Sequence, residues 1–287
     1  MKIDGKLIAS EIKERLKKDV ICLRQKGILP HLIVVLIGND PASLVYVNQK
    51  QKVAEEIGVK FSIFNFPASP AGRQFSIAKE ELVKLVNRLN ADKSAHGIII
   101  QRPVPIDIEK DELDQMVIPA KDVDGFHPQS PFYPPVALAV LKILSWVEKD
   151  CCNNPKPFYS WLKEKKILVI GRGETAGRPI AETLGKKGAA FTVANSQTTN
   201  LKDLCLNSDI IISCVGISNI VRLSSDSPHN GSPVVRHDMV KTSTILIGVG
   251  LHLENSRQTI IKMKSREKWL ILRRFRAESA RSTLPVF

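Results

Sequence analysis

A chain of 287 residues, 43% of them hydrophobic, is long enough for two domains, each with its own core. No apolar run approaches the roughly 18 residues that span a bilayer, and the first twenty residues form a charged amphipathic pattern without a signal-peptide core, so a soluble, cytoplasmic protein is expected. The formal charge is +13, but residues 257–287 hold nine Lys and Arg against two Glu, a net +7 that leaves the first 256 residues only +6. Basicity gathered in a tail suits a small anionic substrate or cofactor at least as well as a polynucleotide, and no nucleic-acid partner is expected. The five cysteines and six histidines lack the paired spacing of a metal site and are read as reduced thiols and ordinary imidazoles.

In chain order, helix and strand alternate. Leu7, Ile8, Ile12, Leu16 and Val20 fall at helical spacing, with Gly27 where a C-terminal cap would stand. Leu32 to Ile37 is a continuous apolar run, the pattern of a strand buried on both faces of a parallel sheet. After the turn Gly38-Asn39-Asp40-Pro41, a helix runs toward Gly58; a strand over Val59–Phe66, a helix over Ser76–Leu89 and a strand over Gly97–Gln101 complete a βαβαβ half. In such sheets ligands bind beyond the carboxyl ends of the strands, where Gln101 and the rigid loop Pro103-Val104-Pro105 would sit.

Tyr46 and Lys50 are four apart on the predicted helix and share a face. A lysine can serve as a base when it is partly buried with no carboxylate beside it, and no acid follows Lys50 on its own face. An ordinary surface helix with a tyrosine packed at its edge explains the same spacing. Gln101 offers a neutral amide that can hydrogen-bond a lysine without adding charge; a strand-terminal cap is the other reading. Lys121-Asp122-Val123-Asp124-Gly125 puts two acids in a tight loop, able to accept paired N–H donors from a polar ring or to close an Asx-type turn.

A helix over Val136–Val147, opened by Pro134-Pro135, leads to a stretch at residues 148–160 that reads as a surface loop. Lys166–Ile170 is then a buried strand feeding Gly171-Arg172-Gly173-Glu174-Thr175-Ala176-Gly177, and a helix follows to about Lys187. Glycines 171, 173 and 177 let the backbone approach a diphosphate at a helix N-terminus. The next strand, Phe191–Ala194, ends in Asn195-Ser196 with no acid for a ribose 2′-hydroxyl, whereas Arg172 and Ser196 could hold a 2′-phosphate, so NADP is favoured over NAD. Strands at Ser208–Ser213 and Ile245–Ile247, with the turn Val215-Gly216 on the cofactor side, complete a Rossmann-like domain; Arg222–Pro233 reads as a solvated insertion.

Together, Asp40-Pro41-Ala42-Ser43 with Tyr46-Val47 and Lys50, Gly97-Ile98 with Gln101, Pro103 and Pro105, and Lys121-Asp122-Val123-Asp124-Gly125 resemble the bifunctional methylenetetrahydrofolate dehydrogenase/methenyltetrahydrofolate cyclohydrolase family, from Ile3 to about Gly250. The resemblance implies a two-domain α/β enzyme with a cleft between a catalytic domain at 1–133 and an NADP-binding domain at 134–256, acting on tetrahydrofolate derivatives as a homodimer. It implies that Lys50 is catalytic, that Tyr46 orders it and the folate, that Gln101 adjusts its protonation, and that Asp124, with Asp122 and Pro103, holds the substrate. It places Gly171, Arg172, Gly173, Gly177, Ser196, Gly216 and Leu251 at the cofactor.

The chain departs from the family pattern in five places. Pro134-Pro135-Val136-Ala137 replaces Pro-Cys-Thr-Pro, Gly173 replaces a serine, Gly248-Val249-Gly250-Leu251-His252 replaces Asp-Val-Gly-Ile-Asn, a later Gly-Asp-Val motif is absent, and the closing glycine-proline segment is missing. In its place stands a divergent basic tail, 257–287, without capping signals or an apolar stripe, expected to be mobile or loosely helical. Another two-domain NADP dehydrogenase, or a folate- or nucleotide-binding protein with impaired catalysis, would share much of this plan.

Overall fold

The structure is a computed structural model that describes residues 5–67, 77–151, 156–215, 221–222, 235–236, 239–241, 243–249, 261–264 and 269–272. Two compact units divide the described chain, with the boundary between Pro135 and Val136.

The first unit opens with α1 (Gly5–Gln25), closed by Gly27 at a positive φ of 76°. Then follow β1 (His31–Ile37), α2 (Pro41–Ile57), β2 (Lys60–Phe66), α3 (Lys79–Ala91) and β3 (Gly97–Ile100). The three strands form a parallel sheet in the order β2-β1-β3. Every residue of β1 is buried because the sheet has a helix on each face. Ile33, Val35 and Ile37 pack with Leu82, Leu85, Val86 and Leu89 of α3, while Leu32, Val34 and Leu36 pack with Val47 of α2. At about 1.5–3 kcal/mol for each buried Val, Leu or Ile, these two layers hold both helices on the sheet.

Local chemistry sets the ends of the helices. The Asp40 carboxylate caps α2 by accepting the Ser43 N–H at 2.7 Å, Pro41 fills the first turn, and Gly58 ends the helix at φ 85°. Helix α3 starts at Lys79, three residues later than the expected Ser76, because the Glu81 carboxylate accepts the Ala78 N–H and fixes the first turn there. Beyond β3, α4 (Lys110–Gln115) and a 3-10 turn (Pro119–Lys121) lead into the acidic loop.

The second unit contains α5 (Pro135–Cys151), α6 (Phe158–Lys163), β4 (Ile167–Ile170), α7 (Gly177–Lys186), β5 (Phe191–Ala194), α8 (Leu201–Leu206), β6 (Ile210–Ser213), β7 (Val221–Arg222), β8 (Val235–Arg236), β9 (Ile245–Gly248), β10 (Ile261–Lys264) and β11 (Trp269–Leu272). Its main sheet runs β11-β10-β9-β6-β4-β5, parallel from β9 to β5 and antiparallel at β10 and β11; β7 and β8 pair separately. One face of the sheet is covered by Leu201 and Cys205 of α8, packed on Leu168, Ile170, Ile211 and Leu246.

Two expectations are corrected here. The stretch 148–160 is not all loop: α5 extends to Cys151, and α6 forms around a buried Trp161 stacked on Phe158 at 6.0 Å. The tail contributes strands rather than loose helix, since Ile261–Lys264 and Trp269–Leu272 extend the main sheet from β9. The Arg222–Pro233 insertion, apart from Arg222 itself, lies outside the described residues, as do Gly216 and Leu251.

Candidate active site

Lys50 lies two turns into α2, half-buried, and its Nζ donates to Oε1 of Gln101 at 3.0 Å. Gln101 continues the β3 ladder, donating its backbone N–H to the Val35 carbonyl. Its side chain is buried, and its Nε2 donates to the Arg102 carbonyl at 3.0 Å, which leaves Oε1 as the atom facing the lysine. The Ser43 hydroxyl donates to the same Arg102 carbonyl at 3.2 Å. The helix that carries Lys50 and the strand end that carries Gln101 are thereby joined at one backbone oxygen.

No described carboxylate forms an ion pair with Lys50, so its described polar partner is a neutral amide. Such an acceptor can take one N–H from the amine whether or not the amine holds its third proton. Tyr46 shares the face, and burial pushes its phenol above the ordinary value, so it stays a neutral hydroxyl over the physiological range. Among the described residues no hydrogen bond joins Tyr46 to Lys50; the lysine is oriented through Gln101 instead.

The two acids of the loop have different settings. Asp122 is buried, forms a parallel bridge with Ile98 of β3, and accepts the His127 N–H on its carboxylate at 2.8 Å. Burial raises its carboxyl above the usual range, with the His127 N–H pulling the other way. Asp122 therefore closes the loop on itself. Asp124 is half-exposed and its carboxylate makes no hydrogen bond among the described residues, which leaves it the acid able to receive a ligand. Gly125 follows at φ 69°, where a Cβ would meet the Phe132 carbonyl at 2.8 Å, so only glycine lets the chain turn there. Pro103 stands directly after this network, joined to Arg102 by a cis peptide.

Three supporting residues carried no role in the sequence reading. Ser43 ties α2 to the strand end, and Arg102 reaches Asp114. Lys121 donates to the carbonyls of Leu89, Asn90 and Asp92 at 3.1, 2.8 and 2.6 Å, capping the end of α3. The last could be suspected from its place in the acidic motif, but backbone carbonyl partners leave no trace in a sequence.

In the second unit, Gly171 follows β4 at φ 99°, and a Cβ on Gly177 would lie 2.0 Å from the Gly171 carbonyl. The turn thus doubles back tightly into the start of α7, whose first N–H groups carry the positive end of the helix dipole. Gly173 differs: a Cβ there would meet nothing within 4 Å, so space does not demand a glycine. Arg172 follows β4 and Ser196 follows β5, neighbouring parallel strands paired Ile170 to Ala194, so both exposed side chains leave the same edge of the sheet. The Ser213 hydroxyl at the end of β6 is buried and has no hydrogen-bond partner among the described residues. This edge suits a dinucleotide: a tight glycine turn for a diphosphate, and a cation in that turn with a hydroxyl one strand away for a ribose phosphate.

Two family models match the chain in succession, the catalytic domain of tetrahydrofolate dehydrogenase/cyclohydrolase over residues 3–124 and its NAD(P)-binding domain over residues 159–263. The chain belongs to this family. The bifunctional protein FolD of Agathobacter rectalis is 34% identical to it over 259 residues, covering 87% of this chain and 81% of the relative. The crystal structure of the bifunctional FolD methylenetetrahydrofolate dehydrogenase/cyclohydrolase from Campylobacter jejuni matches with a TM-score of 0.71 at 34% identity, over 90% of this chain and 84% of that one. The Trypanosoma brucei methylenetetrahydrofolate dehydrogenase-cyclohydrolase, solved with NADP cofactor and an inhibitor, matches with a TM-score of 0.68 at 26% identity, over 94% and 84%. Within the family frame, Lys50, Gln101, Asp122 and Asp124 all fall inside the matched catalytic domain, and Arg172 and Ser196 inside the matched cofactor domain.

Proposed function

We propose that this chain oxidises 5,10-methylenetetrahydrofolate with NADP⁺ and hydrolyses the resulting 5,10-methenyltetrahydrofolate to 10-formyltetrahydrofolate, with Lys50 and Gln101 as the proton-handling pair. The observation that carries the reading is the 3.0 Å hydrogen bond from Lys50 Nζ to a Gln101 amide held in one orientation, inside a catalytic domain of this family.

When bound, NADP⁺ would supply the hydride acceptor for oxidation of the methylene carbon. Gly171 and Gly177 supply the turn for its diphosphate, and Arg172 with Ser196 would hold the 2′-phosphate. In the hydrolytic step, a water oxygen bonds to the methenyl carbon, the bond from that carbon to N5 breaks, and one proton is released. Lys50 is the group that moves the proton between water and N5. Gln101 holds the amine through the oxygen of a neutral amide. Asp124 accepts N–H donors of the pterin ring, and Tyr46 offers a neutral hydroxyl on the face shared with Lys50. Pro103 and Asp122 shape the substrate wall rather than contact the reacting carbon.

Lys50→Met tests the assignment. The variant keeps the apolar stem and loses the amine, so hydrolysis of the methenyl substrate should fall by about a hundredfold or more while NADP binding stays within about twofold of the parent. Hydrolysis at the parental rate would remove Lys50 from the mechanism. The homodimeric state that the family resemblance implies and the cytoplasmic location expected from the sequence pattern belong to the same reading; sedimentation of the purified chain tests the first and cell fractionation the second.

A further inference from the structure

Arg102 is a buried arginine one residue after the amide that holds Lys50. Its guanidinium is paired with Asp114 of α4 at 2.5 Å, the two side chains being 4% and 5% exposed, and Lys110 joins the other oxygen of the same carboxylate. The guanidinium also lies over the Phe126 ring, 4.0 Å from its centroid, two residues past Asp124. A pair buried this deeply gains little net stability, because desolvation offsets most of its attraction. What such a pair does supply is a fixed place for the backbone that carries it. The Arg102 carbonyl accepts both the Gln101 amide and the Ser43 hydroxyl.

We propose that Arg102 is a positioning residue that sets the catalytic amide and the acidic loop in register: its carbonyl aims Gln101 at Lys50, while its guanidinium, clamped by Asp114, holds Phe126 and with it the loop bearing Asp124. The role rests on the functional reading above. It adds that one side chain reaches both the proton-handling pair and the loop bearing the substrate-holding acid, linking two parts that are otherwise anchored separately.

The test is the double variant Arg102→Met with Asp114→Leu, which removes both charges and leaves apolar groups of similar size. Melting temperature, NADP affinity, kcat and KM for methenyltetrahydrofolate hydrolysis, and the pH profile of kcat are measured on parent and variant, well below both melting points. The folded variant should keep its NADP affinity, lose about ten- to a hundredfold in kcat, the scale of a misplacement of about 1 Å, and show a displaced pH profile. Unchanged kcat, KM and pH profile would overturn the role, even if the melting temperature falls. Phe126→Leu keeps both charges and serves as the second variant: it should raise the folate KM about threefold or more with the pH profile unmoved. An unchanged KM there breaks the link from Arg102 to the loop, whatever the double variant does. A parent chain inert toward folate sinks the functional reading itself, whereas an active parent with indifferent variants sinks only Arg102.

Discussion

Replacing Lys121 by methionine isolates the tether between the substrate-holding loop and the body of its unit. The lysine sits at the start of the acidic loop, half-buried, and its ammonium donates to three carbonyls at the end of α3. Each hydrogen bond from a charged group contributes about 1.5–3 kcal/mol when desolvated. Three bonds sharing one partly exposed ammonium do not add, so about 2–4 kcal/mol is the reasonable total, including the favourable placement of a cation at a helix C-terminus. For a unit of this size that corresponds to a melting-temperature loss of roughly 6–15 °C. Methionine retains most of the aliphatic stem, so packing changes little and the loss reports the ammonium. The second consequence is functional. The bridge from Ile98 to Asp122 still anchors the loop on one side, but Asp124 gains freedom, and the folate KM should rise about three- to tenfold with NADP affinity unchanged. Thermal melts and steady-state kinetics on Lys121→Met, with the exposed Lys93→Met as the charge control, read both effects. A melting temperature within about 2 °C of that control would refute the reasoning, since the three carbonyls would then be satisfied equally well by water.

Two further outcomes follow from other sites. Arg172→Ala should weaken NADP binding about tenfold or more and leave NAD binding nearly unchanged, because only NADP presents a 2′-phosphate to that edge; equal losses for both cofactors, measured by titration, would dismiss the arginine as a phosphate ligand. His31 is buried between the Ser62 hydroxyl and the Ser94 carbonyl, and burial, followed by the nearby Lys60, lowers its pKa from the ordinary imidazole value. A depressed folded pKa stabilises the fold above the unfolded value of about 6.5 and forfeits that stability as the pH falls through the folded value. Urea midpoints at pH 7.5 and pH 5 should therefore drop more for the parent than for His31→Asn; parallel drops in the two proteins would show that His31 does not contribute.

What could be read from the sequence was what repeats locally. The apolar runs at Leu32–Ile37 and Ile167–Ile170 announce strands covered on both faces because no other element needs so many consecutive apolar residues in so short a span. Asp40-Pro41 and Gly58 mark the limits of α2, and Lys50 with Gln101 emerges as a pair because one stands on a helix face and the other at a strand end, both of which periodicity locates. The supports of that pair are another matter. Arg102 and Asp114 are twelve residues apart, on a strand-end loop and a six-residue helix, and nothing in their spacing says that the chain folds to bury them together. Lys121 is bound by backbone oxygens that every residue possesses. The tail makes the same point from the other direction. Its charges suggest a segment that cannot order itself, yet Ile261-Lys262-Met263-Lys264 alternates apolar and basic residues with the period of a strand, too briefly to declare itself alone. Pairing with β9 supplies what the segment lacks, since a ladder on a formed sheet edge satisfies the backbone without requiring an apolar stripe. A charge count measures the cost of ordering an isolated segment; it carries no information about an edge strand waiting elsewhere in the fold.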